Sequence, residues 1–134
     1  LARHAGAHVT GVCSGANTKL VASLGCEEVV DYTREDVSGR AERYDVVFDA
    51  VGKLPRATTR GLLKPDGRAT SVKSLTKELA DELSNLLGLA ASGAIRPVIE
   101  REVTLAGVKE AHRHVDSGRK VGNIVVRVSD STEE

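Results

Sequence analysis

Tyr44-Asp45-Val46-Val47-Phe48-Asp49-Ala50-Val51-Gly52 is the stretch that decides the fold. Its middle is almost continuously apolar and it ends on a glycine. A strand wetted on one face would alternate polar and apolar residues, whereas a parallel strand covered on both faces reads as an unbroken apolar run. The run therefore predicts a central strand of a parallel sheet, flanked by helices.

Working outward, His8-Val9-Thr10-Gly11-Val12-Cys13 is a shorter β-rich run, and Ser14-Gly15-Ala16-Asn17 is a turn leading into a helix over residues 19–24. Gly25 closes that helix. Glu28-Val29-Val30-Asp31-Tyr32 reads as a second strand, and the polar stretch 33–43 as one helical turn at most. Upstream, residues 1–6 look like the closing turn and a half of a helix that stops at Gly6.

Downstream of the central run, a weaker helix is expected at 56–63, then a Pro65-Asp66-Gly67 turn and a strand over 68–72. Leu75, Leu79, Leu83, Leu86, Leu87 and Ala90 recur at three- and four-residue spacing, which predicts an amphipathic helix over 75–91 that Gly93 ends. Extended pieces follow at 97–99 and 102–105, a helix at 108–115, and a last strand at 123–128. Strands alternating with helices over short connections indicate an α/β fold with a mostly parallel sheet. One domain over 1–128 with a polar tail over 129–134 is the simplest division for 134 residues.

Composition excludes several classes of function. Lys plus Arg and Asp plus Glu both total 19, so no net field draws the chain to nucleic acid or an anionic membrane. No apolar stretch approaches the roughly 20 residues of a membrane helix. Aromatic residues make up 2%, so a core must be built from Val, Leu, Ile and Ala. Cys13 and Cys26 lack a CxxC motif or a His at ligand spacing, which gives no metal site and suggests two free thiols in a cytoplasmic protein. No nucleophile elbow, P-loop or carboxylate pair marks hydrolysis or phosphoryl transfer, and no residue is nominated as catalytic.

In an open α/β sheet ligands bind beyond the carboxyl ends of the strands. Here those ends are Cys13-Ser14, Tyr32, Asp49 to Gly52, and Ser71-Val72. A sheet that binds NAD normally closes its second strand with an acid for the ribose hydroxyls, whereas NADP calls for small, polar or cationic groups around its 2′-phosphate. The run ending Cys13-Ser14 has no acid. Lys19 lies one turn into the next helix, and the hydroxyls of Ser14 and Tyr32 can both donate, so the set favours NADPH over NADH. Each residue also has a plain structural reading: Ser14 as a helix cap, Lys19 as a solvated cation, Tyr32 as a half-buried strand end. Ala50-Val51-Gly52 allows close approach of a flat ligand, although Gly52 also suits a tight turn.

Several strings in register then resemble one family. Gly6-Ala7-His8-Val9-Thr10-Gly11-Val12-Cys13-Ser14, Leu24-Gly25-Cys26-Glu27-Glu28-Val29-Val30-Asp31-Tyr32, the central run itself, Gly93-Ala94-Ile95-Arg96-Pro97-Val98-Ile99, and the ending Ser117-Gly118-Arg119-Lys120-Val121-Gly122-Asn123-Ile124-Val125-Val126 resemble the zinc-independent NADPH:quinone oxidoreductase branch of the medium-chain dehydrogenase/reductase superfamily. The resemblance implies a Rossmann-like nucleotide-binding domain that works beside a separate catalytic domain, passing hydride from NADPH to a quinone or an α,β-unsaturated carbonyl. It places Ser14, Lys19 and Tyr32 at the 2′-phosphate, Ala50, Val51 and Gly52 along the adenosine side, and Ser71 near the nicotinamide.

Against that pattern three departures are expected. The sheet lacks its first strand and the glycine-rich loop that cradles the pyrophosphate, so the chain by itself should bind dinucleotide poorly and be inactive. The stretch between Ser71 and Leu75 is abbreviated. Segments 97–105 and 121–128 resemble pieces that relatives return to the catalytic domain, and their open edges invite homodimerisation. A zinc-type alcohol dehydrogenase fragment, a non-catalytic truncated interaction module and a methyltransferase domain are the alternatives. The missing acid after Cys13 counts against the last.

Overall fold

A computed structural model describes residues 1–74 and 79–128 of the chain; the expected helix start at Leu75 and the polar tail 129–134 lie outside the described residues. The chain divides into two compact units, Ala2–Ser84 and Asn85–Glu134, with Leu1 grouped with the second.

The first unit holds two parallel strand pairs, each closed by a helical crossover. Strand β1 (Thr10–Cys13) leads through a 3-10 turn at Gly15–Asn17 into helix α1 (Thr18–Ser23) and returns as β2 (Glu28–Asp31). Helix α1 lies directly on the middle of β1. A Cβ placed on Gly11 would stand 2.4 Å from Val21 Cγ1 and 2.9 Å from Cys26 Sγ, so only glycine lets helix and strand approach this closely. Val30 in β2 is 1% exposed and anchors this pair.

The second pair joins β3 (Tyr44–Asp49) through α2 (Arg56–Leu62) to β4 (Leu63–Ser71). The Pro65-Asp66-Gly67 turn expected between helix and strand lies inside β4, because pairing begins before it: Tyr44 faces Leu63, and Val46 already faces Arg68. The intervening residues form a bulge, with Gly67 held so close that a Cβ would meet the Tyr44 carbonyl oxygen at 2.8 Å. Between the two pairs Arg40, its side chain only 10% exposed, gathers Glu28, Glu35 and Glu42. The hydrogen bond to Glu28 holds its guanidinium even further above the ordinary arginine value.

The α/β architecture and parallel pairing agree with the sequence. The central position of the Tyr44–Gly52 run does not. Among the described residues β3 pairs with β4 alone, and Val46 and Phe48, which share one face, are 61% and 60% exposed. A doubly wound sheet places a further strand between two such pairs and helices over both faces; none of the described residues forms that strand. The apolar run thus records cover that the described residues do not supply.

Helix α3 (Ala80–Ala91) runs across the division at Ser84/Asn85, and the second unit continues with β5 (Ile99–Thr104), α4 (Val108–Asp116) and β6 (Asn123–Arg127), with β5 and β6 parallel. Glu100 ties the three later elements together. Its Oε1 lies 2.7 Å from His114 Nε2 in α4, and its Oε2 accepts the Val121 amide at 2.7 Å at the entry to β6. That amide is the main cause of a Glu100 carboxyl below its ordinary value. The α3 stripe is as amphipathic as expected but unmatched: Leu79, Leu83 and Leu87 are 48%, 60% and 63% exposed. Gly93 ends the helix at φ +75°.

Residues 1–6 keep the cap of a helix without the helix. Gly6 has φ +84°, its amide bonds to the Arg3 carbonyl, and the Ala7 amide reaches the Ala2 carbonyl, the bonding pattern of a Schellman motif. Across all the described residues only Val30, Leu62 and Ala111 are buried apolar side chains.

Candidate functional site

The carboxyl end of the β1–β2 pair is a single ledge. Cys13 sits level with Asp31, and the pairing continues one step further where the Tyr32 amide donates to the Cys13 carbonyl at 3.1 Å. Ser14 therefore leaves β1 beside the point where Tyr32 leaves β2. Ser14 is extended, at φ −75° and ψ 154°, and makes no side-chain cap; its hydroxyl oxygen accepts a 3.3 Å bond from Asn17 Nδ2. The capping role is thus not the one its hydroxyl plays. Lys19 is the second residue of α1, exposed, with no ion pair among the described residues. Tyr32 is 60% exposed rather than half-buried. Ser14 and Tyr32 are together, and Lys19 stands on the first turn of the helix leaving the same ledge.

Asp31 is the ledge residue that sequence reading passed over. Its Oδ1 accepts from the Thr33 amide at 3.0 Å and the Thr33 hydroxyl at 2.7 Å, and these bonds hold its carboxyl below the usual value. Its Oδ2 occupies the space beside Gly15, 2.6 Å from where a Cβ would stand. The Asp-Tyr-Thr spelling was the available signal, since an Asp followed two residues later by a Thr forms this side-chain-to-backbone turn.

The carboxyl end of the β3–β4 pair forms a second ledge. Asp49 is level with Ser71, and the Val72 amide donates to the Asp49 carbonyl at 3.2 Å. Ala50, Val51 and Gly52 make the expected tight turn, with Gly52 at φ +71°, where L side chains are strained. The carboxylate of Asp49 organises it, accepting the amides of Leu54 at 2.8 Å, Gly52 at 2.7 Å and Val51 at 3.1 Å. The Leu54 bond is the chief cause of its lowered pKa. The open approach expected over Gly52 is taken by Lys73, whose Cε lies 2.7 Å from an ideal Gly52 Cβ position. Lys73 is an exposed, flexible cover, and its own amide donates to the Ser71 hydroxyl at 3.2 Å.

The chemistry of the first ledge suits a phosphorylated nucleotide: two hydroxyls and an ammonium for phosphate oxygens, with a carboxylate able to accept from a sugar hydroxyl. No group of three or more His, Cys, Asp or Glu residues that could hold a metal occurs among the described residues. Cys13 and Cys26 are free thiols, both pushed up by burial. No described helix is long and apolar enough to cross a membrane.

Comparison with known proteins gives consistent results. A family model described as zinc-binding dehydrogenase matches residues 24–80 and 69–126. The mitochondrial NAD(P)H oxidoreductase RTN4IP1 of Danio rerio is 28% identical over 176 aligned residues, covering 96% of this chain and 45% of the relative. That alignment is longer than the chain's own 134 residues, so the relative carries segments with no counterpart here. The chloroplastic NADPH-dependent alkenal/one oxidoreductase of Arabidopsis thaliana is 27% identical, covering 94% of the chain and 36% of the relative. The quinone oxidoreductase structure from Coxiella burnetii superposes with a TM-score of 0.83 at 24% identity, over 96% of this chain and 47% of that one. The chain spans less than half the length of each of these relatives.

Proposed function

Since the chain belongs to the zinc-binding dehydrogenase family, we propose that it is the cofactor-binding part of an NADPH-dependent oxidoreductase that reduces quinones or α,β-unsaturated carbonyls. The observation that carries this reading is the β1–β2 ledge, where Ser14 and Tyr32 emerge side by side, with no acid ending β1 and with Lys19 on the adjoining helix. Ser14, Lys19 and Tyr32 would hold the 2′-phosphate, Ala50, Val51 and Gly52 the adenosine side, and Ser71 the nicotinamide end. When bound, the cofactor supplies the hydride. This chain's part is to grip and orient it, and the substrate is met by residues outside the chain. Relatives named as alkenal/one and quinone oxidoreductases support the substrate class.

The zinc-type alcohol dehydrogenase reading, whose metal ligands would lie in the part of the protein outside this chain, is weaker because the relatives are named alkenal/one and quinone oxidoreductases. A non-catalytic interaction module remains the second reading, favoured by one feature: the exposed strand edges and the bare α3 stripe suit assembly with another chain, including a second copy of this one. A cytoplasmic location rests only on the free thiols, and relatives whose names give a compartment are mitochondrial or chloroplastic. NADPH consumption in the protein carrying this chain tests the activity. Oxidation with a quinone or an enone, unaffected by a zinc chelator, is the expected result; oxidation of alcohols that a chelator abolishes would replace this reading with the zinc-dependent one.

A further inference from the structure

We infer that Asp31 sets the cofactor preference of the β1–β2 ledge, supplying from the neighbouring strand the acid that β1 lacks and opposing a 2′-phosphate there. The inference rests on the nucleotide-binding reading above. Three observations carry it. Asp31 is level with Cys13, so its carboxylate belongs to the same ledge as Ser14. Thr33 engages Oδ1 twice, through its amide and its hydroxyl, which fixes the carboxylate in one orientation and leaves Oδ2 as the oxygen turned towards the chain leaving β1. Gly15 leaves room for it, since a Cβ there would collide with Oδ2 at 2.6 Å. The local sequence thus reserves the place immediately after Ser14 for a negative charge.

Such a carboxylate acts oppositely on the two cofactors. An adenosine ribose 2′-hydroxyl can donate to it, as to the acid that ends the second strand in NAD-binding sheets. A 2′-phosphate cannot donate in its ionised form and carries like charge, which costs free energy at close range even in high dielectric. Arg34 offsets part of this, since its charge also acts on Asp31. The ledge therefore balances Lys19, which favours NADPH, against Asp31, which keeps NADH acceptable, and the resulting preference is narrow.

Titration of the protein carrying this chain with NADPH and with NADH, read by amide NMR shifts in the unmodified protein and in Asp31→Asn, separates the possibilities. Asparagine keeps an oxygen for both Thr33 donors and removes only the charge. The expected result is NADPH binding tightened about tenfold relative to NADH, the scale of one unscreened charge contact. Thr33→Val loosens the turn and keeps the charge; it should move both cofactors together. If Asp31→Asn leaves the ratio of the two affinities unchanged, the inference fails while the nucleotide-binding reading stands. If the unmodified protein carrying this chain binds neither cofactor, the reading fails and the inference falls with it.

Discussion

In the protein carrying this chain, Lys19→Ala should weaken NADPH binding about 10–100-fold and leave NADH binding nearly unchanged. One charge-assisted hydrogen bond contributes about 1.5–3 kcal/mol, and each 1.4 kcal/mol is a factor of ten. Lys19 is exposed and makes no ion pair among the described residues, so its ammonium has no competing partner to lose and its removal leaves no carboxylate stranded. Its backbone place in α1 tolerates alanine, a strong helix former, so the fold should not suffer. Calorimetric titration with both cofactors measures the effect. An equal loss for both would mean that Lys19 reads something they share, and the 2′-phosphate assignment would be withdrawn.

The second large effect concerns stability. Gly11→Val should lower it by about 1–3 kcal/mol or more, the cost of forcing extra carbon into a packed site. Two effects compete here. Valine suits a strand far better than glycine, by an amount on the order of 1 kcal/mol. Yet its Cβ would begin 2.4 Å from Val21 Cγ1 and 2.9 Å from Cys26 Sγ, before either of its methyl groups is placed. Overlap wins, and α1 must lift from β1, carrying Lys19 with it. Because so few apolar side chains are buried, the loss is a large share of what the unit has. Urea unfolding followed by circular dichroism reads the change, and cofactor titration should show NADPH and NADH weakened together. Unchanged stability would mean that α1 is not seated on Gly11.

Much of this was legible in the residues, and the boundary of legibility has a physical cause. Spacing placed the helices and strands to within a few residues, since period and punctuation are local properties: Gly25, Gly52 and Gly93 each stand at a positive φ where a turn or helix end was expected. The unbroken run Val46-Val47-Phe48 likewise reported that a strand is built to be covered. It could not report whether the cover is there, and Val46 and Phe48 are exposed. The Leu83 and Leu87 stripe of α3 repeats the lesson. The Pro65-Asp66-Gly67 signal marked an irregularity but not its kind: the residues form a bulge inside β4 rather than a turn before it, because register depends on β3 and not on the turn residues themselves.

At the site, β1 itself ends without an acid. Asp31 ends the adjacent strand, and only the register that sets it level with Cys13 brings its carboxylate to Gly15. Asp49 reads in sequence as part of a strand, but its work is to gather the amides of Val51, Gly52 and Leu54.

The central claim is that the β1–β2 ledge receives the phosphorylated end of a nicotinamide cofactor. An NMR titration of the isotopically labelled protein carrying this chain with NADPH and NADH tests it where it is made. Shifts should concentrate on the amides of Gly15, Lys19, Tyr32 and Thr33 and saturate at lower NADPH than NADH concentration. Absence of shifts up to millimolar cofactor, or shifts confined to β5, α4 and β6, would contradict it.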